Sequence, residues 1–334
     1  MLTDPHQLKE DNSLDTALRP NNLNEYVGQQ KIKDKLQILI EAARQRKEKN
    51  IEHLLLYGGS GLGKTTLAQV IAKELGSSIK TTAGPTIEKV GDLASVLTNL
   101  QEGDILFIDE AHRLNKTVEE TLYPAMEDYK LDIIIGKGPS ARTLQLDLPP
   151  FTLISATTKI GMLSSPFRSR FGVTYHLDFY NENDISQIIQ RSANLLKVQI
   201  EPTALKLIAC CSRHTPRVAN RLLKRVRDYC QVKGNGVVDK TTTEKALAML
   251  EIDQKGLEPV DRQLLKSIIK TFNGGPVGLS ALAASINEET DTIEDVYEPY
   301  LLQLGLLART GQGRIATNLA YKHLGLKEKQ DQLL

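Results

Sequence analysis

The sequence predicts an α/β protein: a parallel sheet with helices on both faces, joined to a small helical domain and a C-terminal winged helix. From His53 to about Tyr180, short β-branched or apolar runs alternate with helical patterns. From about Asn181 to Leu250 the strand pattern stops and apolar residues recur at helical spacing, as at Ile185, Ile188 and Ile189 and again at Leu222, Leu223 and Val226. After Asp253-Gln254-Lys255-Gly256, three helical patterns run into two short strands around a glycine-containing turn. At 334 residues the chain is too long for one ordinary core, and the three patterns divide it at 1–180, 181–253 and 254–334.

In chain order, the expected core strands are His53–Tyr57, Ile79–Thr82, Ile105–Ile108, Thr152–Ala156 and Thr174–Leu177. Between the third and fourth lies 131–148, where Ile133-Ile134-Ile135 meets Gly136-Lys137-Gly138-Pro139 and then alternating Leu144 and Leu146; this reads as an inserted hairpin. The last segment predicts helices at Val260–Phe272, Leu279–Ile286 and Ile293–Leu304, then strands around Gly311-Gln312-Gly313.

Composition excludes several classes. With 40% hydrophobic and 25% charged residues the chain should fold, and a net charge of +1 means that any nucleic-acid contact must come from local basic clusters. The three cysteines, Cys210, Cys211 and Cys230, fall in one helical stretch without metal-ligand spacing, so neither a disulfide framework nor a zinc site is expected. The polar N-terminus lacks a signal-like apolar core and no run is long enough to span a bilayer. A cytoplasmic protein without membrane partners is the expectation.

Gly58-Gly59-Ser60-Gly61-Leu62-Gly63-Lys64-Thr65 fits G-x-x-x-x-G-K-[ST] between a predicted strand and a helix at Thr66–Leu75. Gly58, Gly61 and Gly63 let the backbone wrap phosphates, Lys64 reaches the β- and γ-phosphates, and Thr65 is placed to ligate Mg²⁺. Ile105-Leu106-Phe107-Ile108 then delivers Asp109 as a second Mg²⁺ holder and Glu110 as the carboxylate that polarises water. Ser155-Ala156-Thr157-Thr158 ends the next strand, and Thr158, with Thr157 as second choice, is the candidate γ-phosphate sensor. ATP hydrolysis with Mg²⁺ is the chemistry these elements imply.

These motifs, with Leu18-Arg19-Pro20, Gly28-Gln29, Asp109 to Leu114, Tyr123 to Tyr129, Leu148 to Ile154, Ser165 to Gly172, Thr215-Pro216-Arg217 and Gly274 to Leu279, give the chain a resemblance to the RuvB family of AAA+ ATPases over nearly its whole length. The resemblance implies that the helical domain is an AAA+ lid. It puts Leu18, Arg19 and Tyr180 on the adenine side, Gly61, Lys64, Thr65 and Thr66 on the phosphates, and Glu127, Asp128 and Tyr129 among the nucleotide-binding residues. It makes Arg170 an arginine finger acting on a neighbouring subunit, with Arg168 competing, and Arg217 the second sensor. A basic helix face in solvent is the alternative reading of Arg213, Arg217, Arg221, Lys224, Arg225 and Arg227.

The resemblance further implies a ring, as a hexamer, that moves duplex DNA through Holliday junctions during recombination and repair. RuvA would dock on the hairpin 131–148 through Ile133, Ile134 and Ile135, RuvC would join the resolving complex, and Arg309 and Arg314 would touch DNA from the wing. At Thr290 the chain departs from the many relatives that carry a basic residue there. The rivals are a superfamily 2 helicase, whose motifs Asp109-Glu110-Ala111-His112 and Ser155-Ala156-Thr157 mimic, a clamp-loader-like switch, and an ATP-sensing winged-helix regulator.

Overall fold

The computed structural model describes residues 17–135 and 142–327. The chain divides into two compact units that part between Tyr180 and Asn181.

The first unit holds the sheet. Its elements run α1 (Gln30–Arg46), β1 (Leu54–Tyr57), α2 (Lys64–Leu75), β2 (Ile79–Ala83), α3 (Val90–Thr98), β3 (Ile105–Asp109), α4 (Lys116–Glu127), β4 (Lys130–Ile135), β5 (Arg142–Asp147), β6 (Thr152–Thr157), α5 (Ser165–Arg168) and β7 (Val173–His176). The five-stranded sheet has the order β2-β3-β6-β1-β7, and its pairings are parallel. All five predicted strands are present within a residue or two of their expected ends, and β4 and β5 pair antiparallel as the inserted hairpin.

Successive strand residues face opposite sides of a sheet. Leu55, Leu106, Ile108 and Leu153 therefore share one face, buried with Leu93 and Leu97 of α3, Val118 and Leu122 of α4, Phe151 and Phe167. Leu54, Leu56, Phe107 and Ile154 are fully buried on the other, and each such side chain contributes about 1.5–3 kcal/mol. Between the faces, His53 accepts from the Leu153 N–H at Nδ1 (2.9 Å) and so carries its proton on Nε2, 3.0 Å from the Met126 carbonyl. Burial pushes its pKa down.

The second unit begins with α6 (Glu182–Leu195), β8 (Gln199–Ile200), α7 (Pro202–Cys211), α8 (Pro216–Lys233), β9 (Val237–Val238) and α9 (Lys240–Met249). It continues with α10 (Pro259–Lys270), α11 (Leu279–Ile286), α12 (Thr290–Thr292), a π-helical turn at Ile293–Tyr297, α13 (Glu298–Gln303), β10 (Leu307–Thr310), β11 (Gly313–Ala316) and α14 (Asn318–His323). The predicted three helices and hairpin are present, with the third helix passing through the π turn and an added terminal helix. The cysteines occupy two helices rather than one stretch, Cys210 and Cys211 on α7 and Cys230 on α8, and all three are free. Burial pushes the Cys211 thiol up to about 12, so it is no nucleophile.

The segments on either side of Asp253 pack into one body. Buried Arg213 pairs with buried Asp261 and donates from Nε to the Gly256 carbonyl at 3.2 Å. Tyr300 Oη donates to Lys255 O at 2.6 Å, and His323 Nε2 lies 2.8 Å from Asp253 Oδ2. Gly256 has φ +73°, and a Cβ there would stand 2.4 Å from the Cys211 carbonyl oxygen; only glycine fits. Burial, outweighing Arg213, raises the Asp261 carboxyl to about 6.

Candidate nucleotide site and the charged clusters

β1 lies between β6 and β7, and its carboxyl end delivers the glycine loop at the edge where β3 and β6 also end. Gly58 sits at φ +147°, where a Cβ would be 2.4 Å from Leu177 O, and Gly63 at φ +94°. α2 starts directly at Lys64, with no side chain capping its first turn, which leaves its amides for an anion. Lys64 is buried, and its Nζ donates to Gly58 O and Gly59 O at 2.8 Å each. These neutral carbonyls hold the ammonium inside the curve of the loop.

Thr65 Oγ1 donates to Asp109 Oδ2 at 2.9 Å, so the hydroxyl and carboxylate on α2 and β3 converge. Such a hard-oxygen pair suits Mg²⁺, which takes one or two protein oxygens and completes its shell with water and phosphate. Among the described residues no cluster of three or more His, Cys, Asp or Glu forms a metal cage, and Mg²⁺ of this kind needs none. Asp109 Oδ1 accepts from the Glu110 N–H at 2.9 Å. Glu110 has φ +52°, in the left-handed region that non-glycine residues rarely occupy. Its carbonyl is seated against Gly84, where a Cβ would approach it to 2.4 Å. Such backbone strain costs on the order of 1–3 kcal/mol and clusters at functional sites.

The two threonines that end β6 separate. Thr157 is buried, accepts from Lys159 N at 3.0 Å and pairs with His112 Nδ1 at 3.0 Å, whereas Thr158 is half-buried. Behind the loop, Leu18 is buried and Arg19 Nη1 donates to Gln69 Oε1 of α2 at 2.8 Å. Buried Tyr180 donates toward Tyr26 Oη (3.2 Å) and Leu62 O (3.3 Å). Sequence reasoning missed Tyr26. Its hydroxyl fills the space beside Gly63, where a Cβ would stand 3.0 Å from it, burial and then Tyr180 raise its pKa, and an aromatic in an irregular segment gives no periodic signal.

A second cluster gathers at the end of α4. The Arg170 guanidinium lies 4.1 Å over the Tyr123 ring, donates to Pro166 O at 2.7 Å and brings Nε to 3.2 Å from Glu127 Oε1. Arg168 is exposed, as are Glu127 and Asp128, while Tyr129 (φ +52°) packs edge-on to Phe151. Arg217, on the first turn of α8, is half-buried in the other unit.

The wing arginines are engaged internally. Arg309 donates to Glu298 from Nε (2.7 Å) and Nη2 (2.6 Å) and also reaches Glu294 at 2.7 Å. Arg314 donates to the same Glu298 carboxylate at 3.0 and 3.2 Å. Burial alone would raise the pKa of Glu298; the bonds from Arg309 and Arg314 bring it below the ordinary value. The Arg314 side chain is 15% exposed and that of Arg309 47%. On the hairpin, Ile133 packs against the core and Leu144 opposite it is exposed; the side chains of Ile134 and Ile135 lie outside the described residues.

Among the described residues no helix is long and apolar enough to cross a membrane. Three family models match consecutive stretches: the Holliday junction DNA helicase RuvB P-loop domain over 18–177, the RuvB AAA lid domain over 180–253 and the RuvB C-terminal winged helix domain over 254–325. The Holliday junction branch migration complex subunit RuvB of Clostridium kluyveri is 57% identical over 325 residues, 97% of this chain and 93% of that protein. Its counterpart in Dehalococcoides mccartyi is 58% identical over 322 residues, 96% and 92% of the two. The solved Thermotoga maritima RuvB Holliday junction branch migration motor superposes with a TM-score of 0.86 at 50% identity, over 94% of this chain and 100% of that one. With domain models and relatives matching from end to end, the chain belongs to the RuvB family of AAA+ P-loop ATPases.

Proposed function

We propose that this chain is an ATP-driven motor that moves duplex DNA through Holliday junctions during recombination and repair, working in the cytoplasm. The observation that carries the reading is the convergence of Lys64, Thr65, Asp109 and Glu110 at one sheet edge in a chain related to RuvB throughout. Lys64 exchanges two carbonyl partners for anionic phosphate oxygens, and Gly58, Gly61, Gly63 and Thr66 let the loop backbone close around them. Mg²⁺ held by Thr65 and Asp109 supplies neutralisation of phosphate charge. Glu110 polarises water toward the γ-phosphate, Thr158 senses that phosphate, and Arg217 is the second sensor. Leu18, Arg19 and Tyr180 flank the base.

Arg170 acts across a subunit boundary in a homo-oligomeric ring, taken as a hexamer. Its hold on Tyr123 and Glu127 supports a preset orientation, and Glu127, Asp128 and Tyr129 are assigned with it to nucleotide binding. We assign 1–180 to the large ATPase domain, 181–253 to the lid and 254–334 to the DNA-binding head. RuvA docks on the hairpin 131–148 with Leu144 as apolar contact, and RuvC joins the resolving complex. In the wing, Arg309 is the better DNA contact, because its side chain is far more exposed than that of Arg314. The test is dissociation of a synthetic four-way junction with ATP, with and without RuvA. RuvA-stimulated dissociation is expected; turnover that ignores junctions and RuvA, or loading of another protein in its place, refutes the reading.

A further inference from the structure

His112 lies three residues beyond Asp109, in a short turn between β3 and α4, and its ring is 7% exposed. It touches two strand ends at once. Thr157 Oγ1 accepts the Lys159 N–H at 3.0 Å and keeps its own proton for a second partner, and the ring nitrogen Nδ1 stands 3.0 Å away, within reach of it. With Nδ1 accepting, the ring carries its proton on Nε2. That nitrogen stands 3.7 Å from Glu110 Oε2.

We propose that His112 is a positioning residue for the Glu110 carboxylate, tying it through the ring to Thr157 at the end of β6. This rests on the reading of Glu110 as the carboxylate that polarises water. The backbone of Glu110 is already confined by its left-handed φ and by Gly84. What remains free is rotation of its side chain, and the Nε2–H is a donor placed at the end of that rotation. A bond there engages one carboxylate oxygen and leaves the other for water. Because Thr157 precedes Thr158, the linkage joins the strand end beside the candidate phosphate sensor to the group that acts on water. Misplacing a reacting group by about 1 Å costs on the order of 10²-fold in rate.

The test compares His112→Ala, His112→Asn and His112→Gln with Glu110→Gln and Thr157→Val, measuring equilibrium binding of a fluorescent ATP analogue and DNA-independent ATPase turnover. The Asn amide reaches the Nδ1 position and so keeps the Thr157 contact. The Gln amide reaches the Nε2 position and so keeps the donor to Glu110. His112→Ala and His112→Asn should bind nucleotide as the wild type does and lose about 10²-fold in kcat. His112→Gln should stay within about tenfold of wild type, and Thr157→Val should fall severalfold in kcat with unchanged binding. Rescue by Asn and not by Gln would show that the ring merely braces Thr157 and would overturn the proposal, as would wild-type kcat in His112→Ala beside an inactive Glu110→Gln. Normal turnover in Glu110→Gln would instead remove the role of Glu110 itself. Should the Ala variant fail to fold, the Asn and Gln pair decides.

Discussion

Lys64 in the glycine loop and Arg314 in the wing are both basic residues that the sequence nominates as phosphate contacts, yet the fold treats them differently. Lys64 is held by two neutral carbonyls, which are weaker partners than any phosphate oxygen. Arg314 shares with Arg309 a carboxylate buried beneath the wing. Moving the first charge to a ligand exchanges neutral acceptors for an anion, whereas moving the second takes one of two cations from a buried carboxylate. The partners that the fold gives a basic residue therefore set the cost of moving its charge to a ligand.

The sharpest way to break that comparison is to remove charges on the ligand side and ask whether the fold survives. Arg170→Ala should keep its ATP affinity and its melting temperature while losing on the order of 10³- to 10⁵-fold in hydrolysis. Lys64→Ala should fail through lost ATP binding. Mixed rings of the two inactive proteins should regain partial ATPase activity, since some interfaces then combine an intact pocket with an intact finger. A mixture as inactive as its parts, with co-assembly confirmed by tagged pull-down, would assign Arg170 a role within its own subunit and move attention to Arg168.

Asp261→Ala should do the reverse, lowering stability by about 3–5 kcal/mol because it leaves the Arg213 guanidinium buried and unpaired. Thermal denaturation would register it, and a Tm within a degree or two of wild type would mean that water reaches the pair. Next in size, Arg314→Ala should cost about 1–3 kcal/mol by removing one of the two cations on Glu298, with a smaller loss for the more exposed Arg309→Ala. For DNA the ranking should invert: Arg309→Ala is expected to reduce the salt-dependence slope by about one phosphate equivalent. Equal slopes for the two variants would contradict a direct Arg309 contact.

The smallest expected effect comes from His53, a buried polar group with no ligand to release it. Its folded pKa is depressed by burial, so near and below pH 6.5 the unfolded chain binds the extra proton while the folded chain does not. Its stabilising contribution is therefore present above the unfolded pKa and lost as pH falls toward the folded one. The slope should reach at most about 1.4 kcal/mol per pH unit. His53→Gln should flatten that part of the stability profile measured by urea denaturation, and an unchanged slope would exclude His53 as its source.

Legibility in the sequence followed the range of the interaction. The P-loop, Asp109, Glu110 and the five strands were readable because each depends on neighbours a few residues away. The link from His112 to Thr157 was not, because it requires the pairing of β3 with β6, in which Ile108 lies opposite Ser155 across more than forty intervening residues. Arg309 and Arg314 looked like free cations because their partner, Glu298, becomes an inward-facing group only once the π turn and α13 are packed beneath the wing. Ile133 and Leu144 are direct cross-strand partners on one face of the hairpin, yet Ile133 packs partly against the core while Leu144 stays exposed, a difference that alternation along a strand does not encode.

Gly256 admits no side chain because the Cys211 carbonyl fills the space where a Cβ would stand. The joint it occupies has no slack. Arg213 and Asp261 lock it from within, and Tyr300 and His323 bond across it. Close-packed interiors transmit strain instead of absorbing it. A torque applied to the helices of 181–253 would therefore pass to the wing through this packed joint. In mechanical terms a bulkier residue at position 256 would spring the joint through which such a lever would work.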